Sequence, residues 1–91
     1  MKVVVLYSMK GCPFCEMIKE EFDKENISFL ERDIEEYDEF VNATDNEYVP
    51  SMILLDLDKN DEATNVKLIA PERDFEDIYE GVEIVKKYLS E

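Results

Sequence analysis

Cys12 and Cys15 are the only cysteines of the chain, and they enclose the run Cys12-Pro13-Phe14-Cys15. The apolar run Val3-Val4-Val5-Leu6-Tyr7 lies behind them, and apolar residues recur at helical spacing ahead of them. A strand that gives way to a helix here puts Cys12 at the helix N-terminus, where unpaired N–H groups and the helix dipole favour negative charge. The thiolate is the reactive form of cysteine, so its pKa is expected below the ~8.5 of a free thiol. A second thiol one turn along can close an intramolecular disulfide onto the first. The implied chemistry is thiol–disulfide exchange, with Cys12 as nucleophile and the inward-facing Cys15 as resolving thiol. Lys10 is close enough in sequence to add positive charge to the thiolate site, and Tyr7 is placed to border a thiol groove.

The elements that must position this pair are legible as patterns. Residues 2–7 read as a buried strand. Phe14, Met17, Ile18 and Phe22 predict a helix over 13–25, with Pro13 tolerated in its first turn and Asn26 as a stop. Residues 27–32 alternate as a second strand, and Asp33 can cap a second helix bearing Ile34, Tyr37, Phe40 and Val41. The polar stretch 44–47 reads as a loop. Residues 52–57 and 66–70 form a hairpin across the loop 58–64. Asp74 caps a last helix with Phe75, Ile78, Tyr79, Val82, Val85 and Leu89 as its apolar stripe, in which Gly81 costs about 1 kcal/mol relative to Ala. The order is βαβαββα, and it predicts an α/β fold: a four-stranded mixed sheet flanked by three helices.

Ninety-one residues with 45% apolar content support a single domain over residues 1–91. The apolar runs are far too short to span a membrane. Met1-Lys2 leads straight into a strand without a signal-peptide pattern, so a cytosolic location is expected. Two cysteines at this spacing suit a catalytic pair in a reducing compartment better than a structural framework. The net charge of −14 opposes nucleic acid and anionic membranes, and is read mainly as solvated helix faces.

The motif Cys12-Pro13-Phe14-Cys15 at the head of the first helix, Val49-Pro50 before the third strand, and the element order together resemble the glutaredoxin family, whose fold is thioredoxin-like. The resemblance runs from about Lys2 to Leu89. It implies a cis Val49–Pro50 bond lying against the cysteine pair, with Val49 offering its backbone to a bound thiol substrate, and Phe14 standing where the family commonly carries tyrosine. It implies Asp74 as a carboxylate for the amino group of glutathione. Glutathione is then the co-substrate, disulfide-containing proteins are the partners, ribonucleotide reductase is a family-level candidate among them, and the protein is a monomer. Three departures stand out: Met9 replaces a basic residue, Ala70-Pro71 replaces a glycine pair, and Arg73 takes the polar position before Asp74. They alter the glutathione clamp and leave the dithiol chemistry intact, so thioredoxin reductase competes with glutathione as the source of electrons. The non-enzymatic alternative is a redox-responsive module that docks basic partners.

Other signals are set aside. Two cysteines and no histidine do not complete a tetrahedral zinc site, so no metal is expected, and proline after Cys12 argues against a cluster-bridged dimer. Asp56, Asp58 and Asn60 mimic the start of a calcium loop, but Asp61 and Lys67 stand where glycine and glutamate are required. The sequon Asn42-Ala43-Thr44 has no expected meaning without a secretory signal. Glu35-Glu36 has no partner nucleophile or base that would support a hydrolase.

Overall fold

The structure, a computed structural model, describes residues 1–44 and 48–91, with nothing drawn from the side chains of Glu39 and Thr44. Its elements are β1 (Lys2–Ser8), α1 (Pro13–Lys24), β2 (Leu30–Asp33), α2 (Glu39–Thr44), β3 (Ser51–Leu57), β4 (Ala63–Ile69) and α3 (Ile78–Ser90). The expected order βαβαββα is the observed one. The four strands form one mixed sheet in the order β2-β1-β3-β4. β1 runs parallel to β2, with Val5 opposite Leu30, and antiparallel to β3, with Val5 opposite Ile53. β3 and β4 make the antiparallel hairpin.

Residues 3–7 of β1 form an unbroken apolar run because the strand is buried on both faces. Val4 and Leu6 join Met52 and Leu54 beneath Ile18 and Phe22 of α1 and Ile78, Val82, Val85 and Tyr88 of α3. On the other face Val5 and Tyr7 pack with Ile34, Phe40 and Ala70, where α2 lies.

Element boundaries depart from the sequence pattern in four places, each with a local cause. Asn26 does stop α1, in a left-handed conformation at φ 57°. Ile27 then closes the helix end by donating its N–H to Phe22 O at 2.8 Å, so β2 starts three residues later than its apolar alternation suggests. Asp33 does not cap α2. Its side chain takes the Glu35 N–H at 2.8 Å in a turn, and Ile34 N–H stays on the sheet, donating to Ser8 O at 2.9 Å. Asp33 O takes the Glu36 and Tyr37 N–H groups in an isolated turn, the helix itself starts where Asp38 O receives the Asn42 N–H, and Tyr37 lies exposed beside the Arg32 guanidinium rather than in a core. The β3–β4 hairpin is tighter than expected because Asp58 Oδ1 accepts from both Asn60 and Glu62 N–H, which lets β4 begin at Ala63. Of the expected loop 44–47, Thr44 ends α2 and residues 45–47 lie outside the described residues.

The last helix is capped by Asp77, whose Oδ1 accepts the Glu80 N–H at 3.0 Å, and not by Asp74. Asp74 instead closes the preceding turn by accepting from Ala70 N–H at 2.8 Å. Phe75 therefore precedes α3, buried, with its ring over Gly81. Of the expected stripe, Tyr79 faces out and Leu89 is at the margin, while Tyr88 takes a core position.

A methyl group built on Gly81 would meet the Phe75 ring at 3.4 Å, an ordinary contact. Gly81→Ala should therefore keep most of the helix-propensity gain of about 1 kcal/mol. The expected result in a thermal melt is a rise of roughly 3–6 °C, from the scaling for a domain of this size. A fall would mean that Phe75 has no room to give.

Candidate active site

β1 delivers the chain to the edge of the molecule at Ser8, and a turn through Met9, Lys10 and Gly11 reverses it. Cys12 N–H donates to Met9 O at 3.3 Å, and Gly11 adopts φ 77°, which glycine reaches without strain. Cys12 is the N-cap of α1 in an extended conformation, and Pro13 follows as the first helical residue. Cys12 and Cys15 are joined by a disulfide with their Cα atoms 5.2 Å apart. Cys15 N–H donates to Cys12 Sγ at 3.1 Å, the role a serine or aspartate oxygen plays at other helix starts. The two residues are unequal: Cys15 is 1% exposed, whereas Cys12 is only half-buried. Two sulfur atoms that form and break one bond at a helix N-terminus can accept and release two electrons.

Beside the pair runs a groove of about 350 Å³ between α1, the segment before β3 and the β4–α3 connection. Phe14 and Met17 form one wall, Tyr48, Val49 and Pro50 a second, and Pro71, Phe75, Ile78 and Tyr79 the third. Phe14, Tyr48 and Tyr79 are all more than half exposed. The Val49–Pro50 bond is cis. Glu72, Glu76 and Asp77 complete the lining, and none of the described residues lining it is basic.

Of the residues singled out from sequence, the structure brings Phe14, Val49 and Pro50 together along this groove beside Cys12 and Cys15. The other three stand elsewhere. Tyr7 does not border the groove: its ring is buried in the second core, edge-on to Phe40 at 5.7 Å. A residue in the central strand whose side chain alternates with those of Val4 and Leu6 has to enter that core. Lys10 lines a separate shallow depression with Ser8, Met9, Glu16, Lys19, Glu31 and Asp33. Asp74 lies outside the groove, tied to Ala70 N–H and to Arg73 Nε at 2.9 Å, while Arg73 also donates to Leu68 O. Met17, Tyr48, Pro71 and Tyr79 were not anticipated as groove residues. The available signal was aromatic: Tyr48 directly precedes Val49-Pro50, and Tyr79 directly follows Ile78, which alone of the two is buried.

In the depression beside Lys10, Glu31 accepts from Ser8 Oγ at 2.7 Å and from Lys19 Nζ at 2.9 Å, and Lys19 also pairs with Glu16 at 2.8 Å. The Lys19 and Ser8 hydrogen bonds hold the Glu31 carboxyl below its ordinary pKa, and Glu16 and then Glu31 hold Lys19 above its own. The Lys19 charge is thus neutralised by two carboxylates, which leaves Lys10 as the exposed cation nearest in sequence to Cys12.

Among the described residues no group of three His, Cys, Asp or Glu side chains is arranged to hold a metal ion, and no helix is long and apolar enough to cross a membrane. The sheet, its helices and the bonded pair define a thiol–disulfide oxidoreductase of thioredoxin-like fold. The glutaredoxin family model matches residues 4–53, over half of the chain. The protein belongs to the glutaredoxin family. The matched stretch holds both cysteines and Val49-Pro50, while Asp74 lies beyond it.

Among solved structures, a malarial protein is 22% identical with a TM-score of 0.57, over 98% of each chain. A mutant of a thioredoxin-like protein is 17% identical with a TM-score of 0.58, over 94% of this chain and 97% of that one. Oxidised mitochondrial thioredoxin 3 from Saccharomyces cerevisiae is 15% identical with a TM-score of 0.56, over 94% of this chain and 77% of its own. These likenesses carry the fold. No curated protein matches the chain.

The linkage at Glu31 has a definite sign. A carboxyl held below its ordinary pKa contributes stability that is fully present above that ordinary value and is lost as pH falls through it toward the folded value. For a pair this exposed the contribution is about 0.5 kcal/mol and shrinks with salt. Glu31→Gln should lower stability slightly at neutral pH and flatten the acid limb as pH falls through the ordinary glutamate range at low salt, as read by urea melts. An unchanged acid limb would remove Glu31 from the account.

Proposed function

We propose that this chain reduces disulfides in proteins through Cys12 and Cys15 and is recharged by a dithiol reductase of the thioredoxin reductase kind. The Cys12 thiolate attacks one sulfur of a substrate disulfide. A mixed disulfide forms, and the other substrate sulfur leaves as a thiolate that takes up a proton. The Cys15 thiolate then attacks Cys12 Sγ, closes the Cys12–Cys15 bond and releases the second substrate sulfur. Two electrons pass to the substrate, and the reductase returns two. The observation that carries this reading is the partly exposed Cys12, whose sulfur accepts the Cys15 N–H at 3.1 Å at a helix N-terminus beside a groove.

The reductant is the finer part of the proposal. Glutathione is the family expectation, and it is an anion. Among the described residues the lining of the groove carries three carboxylates and no base, Arg73 and Asp74 are bonded to each other and to backbone, and Met9 stands in place of a cation. These observations favour a protein reductase over glutathione. The protein then works as a monomer in a reducing compartment such as the cytosol, with Val49 offering backbone to the substrate.

Turnover with thioredoxin reductase should exceed turnover with glutathione and glutathione reductase at least tenfold; the reverse order would restore glutathione as co-substrate. Cys12→Ser should abolish turnover. Retained turnover in that variant would dismiss Cys12 as nucleophile. In Cys15→Ser, the Cys12 thiol should titrate below the ~8.5 of a free cysteine, read from the pH dependence of alkylation. A value above that reference would show that the surrounding carboxylates outweigh the helix terminus.

A further inference from the structure

We propose that the groove selects cationic polypeptide disulfides: segments that carry a lysine or arginine beside apolar residues within a few positions of the reacting cysteine. This rests on Cys12 and Cys15 acting as described above. The apolar side chains of its walls, Met17, Val49, Pro50 and Phe75, take apolar chain, as substrate sites commonly do. The exposed rings of Phe14, Tyr48 and Tyr79 stand at its edges, where a cation gains from ring faces. Glu72, Glu76 and Asp77 supply the opposite charge. A lysine or arginine side chain has the matching division, an apolar stem and a charged head.

The charge complementarity is local as well as global. Lys10 belongs to another depression, the Arg73 guanidinium is turned back onto Leu68 O and Asp74, and Lys19 is paired with Glu16 and Glu31. No cation among the described residues lining the groove offsets its three carboxylates. An acidic segment would bring like charges together there, which disfavours the wrong partner as effectively as attraction favours the right one.

The test uses the intact chain with its reductase and two disulfide-bonded peptides of equal length, one with lysines and the other with glutamates beside the cysteines. The lysine peptide should be reduced with a kcat/KM about tenfold higher, the difference shrinking as salt rises. Glu72→Gln combined with Glu76→Gln should cut that preference to less than threefold. Glu20→Gln combined with Glu36→Gln removes the same charge from exposed positions away from the groove and should leave the preference in place. Equal rates for the two peptides would overturn the selectivity, as would an equal loss in both double variants, which would assign the effect to net charge alone. Failure to reduce either peptide would instead defeat the oxidoreductase mechanism on which the selectivity depends.

Discussion

A sulfur atom serves here as the cap of a helix, and most of the architecture follows from that one placement. Cys12 accepts the Cys15 N–H, which fixes its side chain relative to α1 in the bonded pair. The same bond makes negative charge on Cys12 less costly, and the first helical turn brings Cys15 within bonding distance of it. To keep the cap where a substrate can reach it, α1 must be anchored hard. Ile18 and Phe22 do this, fully buried against the central strand and against α3. The doubly buried β1 then carries the chain out to the Met9–Lys10–Gly11 turn from which Cys12 departs.

The surroundings of the pair are asymmetric, and the asymmetry follows from the two sides of α1. Phe14 and Met17 face an apolar groove with an acidic lining, whereas Glu16 and Lys19 face a polar depression in which Lys19 pairs with Glu16 and Glu31. The β4–α3 connection shapes the groove's third wall. Its turn is held by Asp74 across Ala70 and by Glu72 N–H to Phe75 O, with Glu72 in a left-handed conformation at φ 69°. A carboxylate that in the family pattern would meet a ligand here builds the turn.

Much of this was legible in the sequence, and the parts that were not share a cause. The dithiol, the helix behind it and the element order follow from spacing and periodicity, which are local signals. The boundaries failed where a side chain or an N–H had two possible partners. Asp33 and Asp74 are both good helix caps by type, yet each closes a turn instead, and Asp77 takes the cap that Asp74 was expected to provide. Tyr7 looked like a rim residue because it ends an apolar strand, but strand alternation sends it into the core with Phe40. The groove itself was the least legible feature. Its walls come from three distant stretches, and only the fold places Tyr48 and Tyr79 beside Phe14.

The central claim is that Cys12 and Cys15 of one chain form a single two-electron couple that reduces a disulfide. It is tested most directly without any recycling enzyme. Fully reduced protein is mixed with excess insulin, the thiols released are counted, and the oxidised product is mapped by mass spectrometry. One insulin disulfide should be reduced per chain, with an intramolecular Cys12–Cys15 bond in a monomeric product. No release of insulin thiols, or a product linked between two chains, would contradict it.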